Sequence, residues 1–157
     1  MDAWIHSTLA FFSLPAVGLS TVFVVALLSA TLIPGGSEWA VLAWLALRPD
    51  AFWETIAVAT VGNTLGGAIS WWMGWGAHAL AERWRDSRTH VRALIWLERV
   101  GPKALLMSWL PIIGDPLVAV AGWLKLPFWA CMAYSAIGKA LRYIIMTAIA
   151  LQILPLI

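Results

Sequence analysis

The chain has 157 residues, 62% of them hydrophobic and 11% charged, against roughly 45–50% apolar and about 25% charged in ordinary soluble domains. So large an apolar surplus argues against a water-soluble globule and for one integral membrane domain, 1–157, with no separate soluble module. The formal charge of +2 comes from basic residues gathered locally, which suits anionic phospholipid and speaks against a nucleic-acid partner.

The start, MDAWIHSTLAFF, lacks a basic leader and Pro15 interrupts its apolar stretch, so a cleaved signal peptide is not expected. Residues 1–19 are read as an interfacial helix. From Leu9 to Leu47 the chain is apolar except at Leu32-Ile33-Pro34-Gly35-Gly36-Ser37-Glu38, where proline and two glycines forbid a straight helix. The arms on either side, Ser20 to Ile33 and Ser37 to Leu47, are each shorter than the ~20 residues needed to cross the bilayer, and a re-entrant hairpin satisfies both facts. Ala51 to Gly76 follows as a predicted membrane-crossing helix, with Gly62, Gly66, Ser70 and Gly74 every fourth residue. Small residues at that spacing let a second helix approach closely.

Residues 77–103 carry Arg83, Arg85, Arg88, Arg92, Arg99 and Lys103 around an apolar stripe of Val91, Leu94 and Ile95. This is the pattern of a helix in the headgroup layer, placed on the cytoplasmic side by its basic residues; a merely solvated charged loop is the alternative for 83–88. A second interrupted stretch, Ala104 to Trp123, breaks at Leu110-Pro111-Ile112-Ile113-Gly114-Asp115-Pro116, and Pro127 to Leu154 closes the chain as a second predicted crossing helix.

The two halves repeat. Pro34 and Pro111, Glu38 and Asp115, and Arg48 and Lys125 all stand 77 apart; after a one-residue slip, Phe52-Trp53 and Phe128-Trp129, and Gly62 and Gly138, stand 76 apart. Residues 20–76 and 104–157 are therefore each a hairpin plus one crossing helix. A single crossing between the hairpins makes them enter from opposite faces. The fold class read from the sequence is an all-α integral membrane protein of two inverted repeats, joined by an amphipathic basic linker. In transporters built this way the binding site lies at the repeat interface near the bilayer midplane.

Four ionisable residues fall within the apolar segments, Glu38, Asp115, Lys139 and Arg142, and a charge at bilayer depth marks a functional site by default. Lys139 and Arg142 lie roughly 18–22 Å along their helix from Pro127 and share a face. Arginine presents a planar fork of donors suited to phosphate, so Arg142 is the expected phosphate clamp and Lys139 its helper. Ser37 and the helix start after Gly36 offer further donors; Asn63 is read first as an interhelical hydrogen bond and second as a ligand. Two acids at depth also raise proton coupling. The alternative is structural: Ser37-Glu38 and Asp115-Pro116 resemble helix caps, and the two cations would then neutralise the two acids. His6, His78 and His90 stand far apart and Cys131 is alone, so neither a metal site, a disulfide nor a cofactor is expected.

The same residues resemble a known family. Ser29-Ala30-Thr31-Leu32-Ile33-Pro34-Gly35-Gly36-Ser37-Glu38, Gly62-Asn63-Thr64-Leu65-Gly66-Gly67, Ser108-Trp109-Leu110-Pro111-Ile112-Ile113-Gly114-Asp115, Ala121-Gly122-Trp123 and Gly138-Lys139-Ala140-Leu141-Arg142-Tyr143 are together similar to the DedA superfamily (the VTT or SNARE-associated Golgi protein domain), in its short YqaA branch. The resemblance implies a multi-pass protein of the bacterial inner membrane among transporters and scramblases of lipids, including undecaprenyl-phosphate translocases. It also implies reliance on hairpin acids, here Glu38 and Asp115, and on buried arginines. This chain departs from the better-studied members at their Arg-Phe-x-Pro-x-x-Arg hairpin, with Ser108 and Gly114 in place of the two arginines; Lys139 and Arg142 supply basic charge instead. The expected partner is therefore a lipid headgroup bearing phosphate, undecaprenyl phosphate or a phospholipid, with a homo-oligomer compatible. From other classes, an intramembrane polyprenyl-pyrophosphate phosphatase would suit Pro34-Gly35-Gly36-Ser37-Glu38 loosely, and a non-catalytic assembly factor would suit the linker and the small-residue seam.

Overall fold

The computed structural model describes residues 15–31, 36–82, 92–110 and 113–153, and among these all regular structure is helical. The first half contains α1 (Pro15–Ser29), α2 (Ser37–Leu47), a 3-10 turn (Pro49–Ala51) and α3 (Phe52–Glu82); the second contains α4 (Arg92–Val100), a 3-10 helix (Gly101–Trp109), α5 (Gly114–Trp123) and α6 (Phe128–Ile153). Residues 1–14, 32–35, 83–91, 111–112 and 154–157 lie outside the described residues, and with them the expected turns of the two hairpins, most of the expected interfacial segment 1–19 and the most basic part of the linker.

Several boundaries differ from those drawn on the sequence. The first hairpin arm begins at Pro15, so residues 15–19 belong to it rather than to an interfacial helix. Helix α3 continues to Glu82, six residues beyond Gly76, because nothing between Ala77 and Glu82 breaks a helix. The first arm of the second hairpin is a 3-10 helix, Gly101–Trp109, running directly on from α4. Gly101, at φ 68°, lets the chain bend at that junction without the clash a Cβ would bring.

Among the described residues no helix is long and apolar enough to cross a membrane, which corrects the expectation that 51–76 and 127–154 are plain apolar spans. Length is not what they lack: α3 has 31 residues and α6 has 26, about 46 and 39 Å at 1.5 Å per residue. Apolarity is lost because their inward faces carry Asn63, Ser70, Lys139, Arg142, Tyr143 and Thr147, all buried. Their outward faces are the reverse. Val61, Leu65 and Ile69 on α3, and Ile137, Leu141, Ile145 and Ile149 on α6, recur every fourth residue and are exposed.

Two apolar clusters form the interior. One joins Val22, Ala26, Val41, Trp44, Leu45, Ile56 and Ala59 with the ring of Tyr143; the other joins Leu97, Leu105, Val118, Ala121, Cys131 and Met132 with the ring of Trp71. Each half thus receives one aromatic ring from the other half's long helix. The small residues of α3 are what let the helices close. A Cβ on Gly62 would stand 2.6 Å from the Phe23 carbonyl oxygen, one on Gly66 would run into that of Leu27, and the Ser70 hydroxyl donates to the Ala30 carbonyl at 3.0 Å. Gly74 faces the opposite way, against the Ala119 carbonyl of α5.

Positions matched by spacing can be compared residue by residue. A Cβ on Gly138 would stand 2.6 Å from the Leu106 carbonyl oxygen, so the two matched glycines do the same work against the first arm of their own hairpin. Phe52 and Trp53 stack edge to face at 5.1 Å, and Phe128 and Trp129 at 5.2 Å; Trp53 and Trp129 are 71% and 82% exposed. The matched turns differ in detail. Arg48 donates to both carboxylate oxygens of Asp50, at 3.0 and 2.8 Å, and this hydrogen bonding holds the Asp50 carboxyl below the usual carboxylate range; both groups are solvated, so the pair orders the turn more than it stabilises the fold. Lys125 instead takes φ 55°, a left-handed conformation costing a residue with a Cβ roughly 1–2 kcal/mol. Lys125→Gly is expected to raise the thermal midpoint in detergent, by up to about 1 kcal/mol of stability; an unchanged or lower midpoint would show that contacts of the lysine side chain outweigh the strain.

Candidate functional site

The break after Ile33 makes α2 start at Ser37, and the break at Pro111 makes α5 start at Gly114, which puts Glu38 and Asp115 in the first turn of their helices. The positive end of each helix dipole favours a carboxylate there. Neither acts as a side-chain cap: the capping positions are Gly36 and Ile113, without a side-chain cap bond in either case. Capping therefore does not account for Ser37, Glu38 or Asp115, and all three are buried.

Helix α6 brings a cation to each acid. Lys139 Nζ lies 2.9 Å from Asp115 Oδ1, and Arg142 Nη2 lies 3.4 Å from Glu38 Oε1. The Lys139 ammonium also donates to the backbone carbonyl of Asn63 at 2.7 Å. Gly67 leaves room for it, since a Cβ there would stand 3.1 Å from Nζ. With Lys139 fully buried and Arg142 only 2% exposed, these ion pairs carry a large desolvation cost and hold only while both partners are in place.

The Ser37 hydroxyl is the meeting point of the first pair. It accepts hydrogen bonds from Tyr143 Oη at 2.8 Å, Asn63 Nδ2 at 3.3 Å and Arg142 Nη2 at 3.4 Å, and donates toward Glu38 Oε2 at 3.5 Å. Asn63 Nδ2 also donates to Tyr143 Oη at 2.9 Å, and the Arg142 guanidinium lies 5.3 Å from the centre of the Tyr143 ring. Two nitrogens of Arg142, Nε and Nη1, are buried without a hydrogen-bond partner.

All six residues singled out on the sequence, Ser37, Glu38, Asn63, Asp115, Lys139 and Arg142, are thus gathered in one buried polar layer. Asn63 is there in both capacities, through its side chain to Ser37 and through its carbonyl to Lys139. Sequence reasoning missed Tyr143 and Gly67. Tyr143 carried a usable signal, standing four residues after Lys139 and so on the same helical face; Gly67 carried none, because its role depends on where a lysine from another helix ends. Ser108 and Gly114, the positions that depart from the arginine pair, pack on each other: a Cβ on Gly114 would stand 2.7 Å from the Ser108 carbonyl oxygen.

Helices with apolar outer faces around a buried layer of two acids, a lysine and an arginine, among the described residues, suit a membrane protein, and comparison with known sequences points to the same class. The VTT domain matches residues 32–151, and the chain belongs to that family, the DedA family, in its YqaA branch. It is 36% identical to the inner membrane protein YqaA of Escherichia coli K12 over 138 residues, covering 87% of this chain and 94% of that protein, and equally so to the YqaA of Shigella flexneri. An uncharacterised protein of Haemophilus influenzae is also 36% identical, over 82% of this chain and 85% of its own length. No solved structure matches the chain.

Proposed function

We propose that this protein is a multi-pass inner-membrane transporter that moves a phosphate-bearing lipid, undecaprenyl phosphate or a phospholipid, between leaflets. The observation that carries this reading is Arg142: a buried guanidinium, 3.4 Å from Glu38 and left with two unpartnered nitrogens. Buried donors without acceptors are uncommon in folded proteins and call for an explanation, and the oxygens of a bound anion would supply one here. Phosphate supplies several oxygens in the geometry that such a fork accepts.

The setting supports lipid rather than a soluble anion. The exposed apolar stripes of α3 and α6 face outward where tails would lie, and apolar side chains exposed in a continuous row suit a lipid or protein contact rather than water. Exposed Trp53 and Trp129 stand in the first turns of α3 and α6, where indole rings favour the headgroup boundary. Inverted halves would bring the two hairpin tips, and with them Glu38 and Asp115, to one depth from opposite faces. The common packing of Gly62 and Gly138 supports that arrangement, as does the contact between Lys139 and Asn63, themselves 76 residues apart. In this scheme the headgroup takes Glu38's place on Arg142, and the displaced acid exchanges a proton.

Reconstitution tests the reading. Vesicles containing the protein are expected to move undecaprenyl phosphate faster than phosphatidylglycerol or phosphatidylethanolamine, with the rate responding to an imposed pH gradient. Equal rates for all three would remove the phosphomonoester preference, and indifference to the gradient would remove proton coupling. Release of inorganic phosphate from a polyprenyl pyrophosphate by the purified protein would replace the transporter reading by an enzymatic one.

A further inference from the structure

The two ion pairs are not equivalent, and the difference lies in how closely each cation is held. The Lys139 ammonium has Asp115 at 2.9 Å and the Asn63 carbonyl at 2.7 Å, both short. Arg142 is held loosely, and beside it Glu38 Oε1 and Asn63 Oδ1 are buried without a hydrogen-bond partner. The guanidinium carries five N–H bonds, but only Nη2 is engaged, and its contacts to Glu38 and Ser37 are both 3.4 Å, long for charge-assisted bonds, which run to about 2.7–2.9 Å. Three donors, from Tyr143, Asn63 and Arg142, converge on the Ser37 oxygen, which has two lone pairs. One of them has no lone pair to itself.

A neutral hydroxyl at the focus of a cation, a phenol and an amide occupies the position that an anionic oxygen would fill with more favourable energy. We infer that the Ser37 hydroxyl holds the place of a phosphate oxygen, and that Tyr143 is a direct headgroup donor which hands its hydrogen bond from Ser37 to the ligand. The inference rests on the phosphate-lipid reading above and divides the site. Tyr143, Asn63 and Arg142 bind the oxyanion, while Lys139 and Asp115 position α5 against α3 and α6 without touching it. A rotation about the Ser37 Cα–Cβ bond to another staggered position would vacate the focus, and the Tyr143 ring is held in register by the neighbouring guanidinium and by the apolar cluster that it joins.

Two substitutions with opposite expected signs test this. The full chain in detergent is titrated with short-chain phosphatidic acid and, separately, with inorganic phosphate, as wild type, Tyr143→Phe and Ser37→Ala. Tyr143→Phe is expected to weaken phosphatidic acid binding at least about tenfold, the usual effect of losing a hydrogen bond to a charged group. Ser37→Ala is expected to tighten it about two- to threefold, because the competing acceptor is gone. A merely structural hydroxyl network predicts weaker binding and a lower melting temperature for both variants, and that outcome overturns the inference, as does unchanged affinity in Tyr143→Phe. If Tyr143→Phe fails to fold, Ser37→Ala decides by its sign alone. Inorganic phosphate that binds as tightly as phosphatidic acid, with the same response to both variants, would leave Tyr143 its role and overturn the lipid reading instead. Binding of neither probe by the wild type overturns both.

Discussion

Arg142→Gln is expected to reduce lipid movement in reconstituted vesicles by at least about a hundredfold and to destabilise the protein by roughly 3–5 kcal/mol. The two losses have different origins. Transport falls because glutamine offers one amide where arginine offers a charged fork, and bonds to a charged group contribute about 1.5–3 kcal/mol each. Stability falls because Glu38, 6% exposed, is left in the interior without its cation, the costly way to break a buried pair. The double variant Glu38→Gln with Arg142→Gln separates them: two neutral amides remove the uncompensated charge, so most of the stability should return while transport does not. Thermal unfolding in detergent and flux in vesicles read the two quantities independently. Recovery of flux in the double variant would mean that Arg142 serves only to neutralise Glu38.

Gly122→Val and Gly74→Val are expected to cost about 3 kcal/mol or more each, enough to leave little folded protein in the membrane. At this crossing α3 and α5 touch backbone to backbone, with the Cβ position of Gly122 overlapping the Trp71 carbonyl and that of Gly74 overlapping the Ala119 carbonyl. No side-chain rotation relieves such contacts, so the helices would have to separate, and α5 carries Asp115 away from Lys139 as it moves. Gly76 is the internal control. A Cβ there meets nothing within 4 Å, and Gly76→Ala should be neutral or stabilising by up to about 1 kcal/mol through helix propensity. Melting temperature and yield after detergent extraction check the set, and Gly74→Val and Gly122→Val variants as stable as Gly76→Ala would mean that α3 and α5 are not in contact.

The YqaA relatives in Escherichia coli and Shigella flexneri are 36% identical over most of their length. The Tyr143 test therefore extends to any relative with a tyrosine immediately after the matching arginine.

Local chemistry was sufficient for much of this architecture. Proline and glycine at 34–36, and again at 111–114, interrupt apolar stretches wherever they fall in space, so the separation of α1 from α2 and of the Gly101–Trp109 helix from α5 could be read directly; matched residues at fixed offsets are likewise a property of the sequence alone. The candidate residues were legible because ionisable groups in apolar surroundings are few, and the shared face of Lys139 and Arg142 follows from helical geometry. Elsewhere the reading slipped: the end of α3 was set six residues early because the change to charged residues was given more weight than the good helix formers Ala77 to Glu82, and the arm Gly101–Trp109 gave no sign of its 3-10 geometry.

Pairing, by contrast, came from the packing of the helices. Periodicity says which residues share a face but not which neighbour that face meets, because this depends on the rotation and separation of helices distant in the chain. Thus Arg142 reaches across the halves to Glu38 while Lys139, one turn away, stays with Asp115 of its own half. The same holds for Tyr143 on Ser37 and for the space Gly67 leaves to an ammonium. Low hydropathy in α3 and α6 has that cause as well: buried polar contacts made with other helices dilute the apolar character that each helix would show alone.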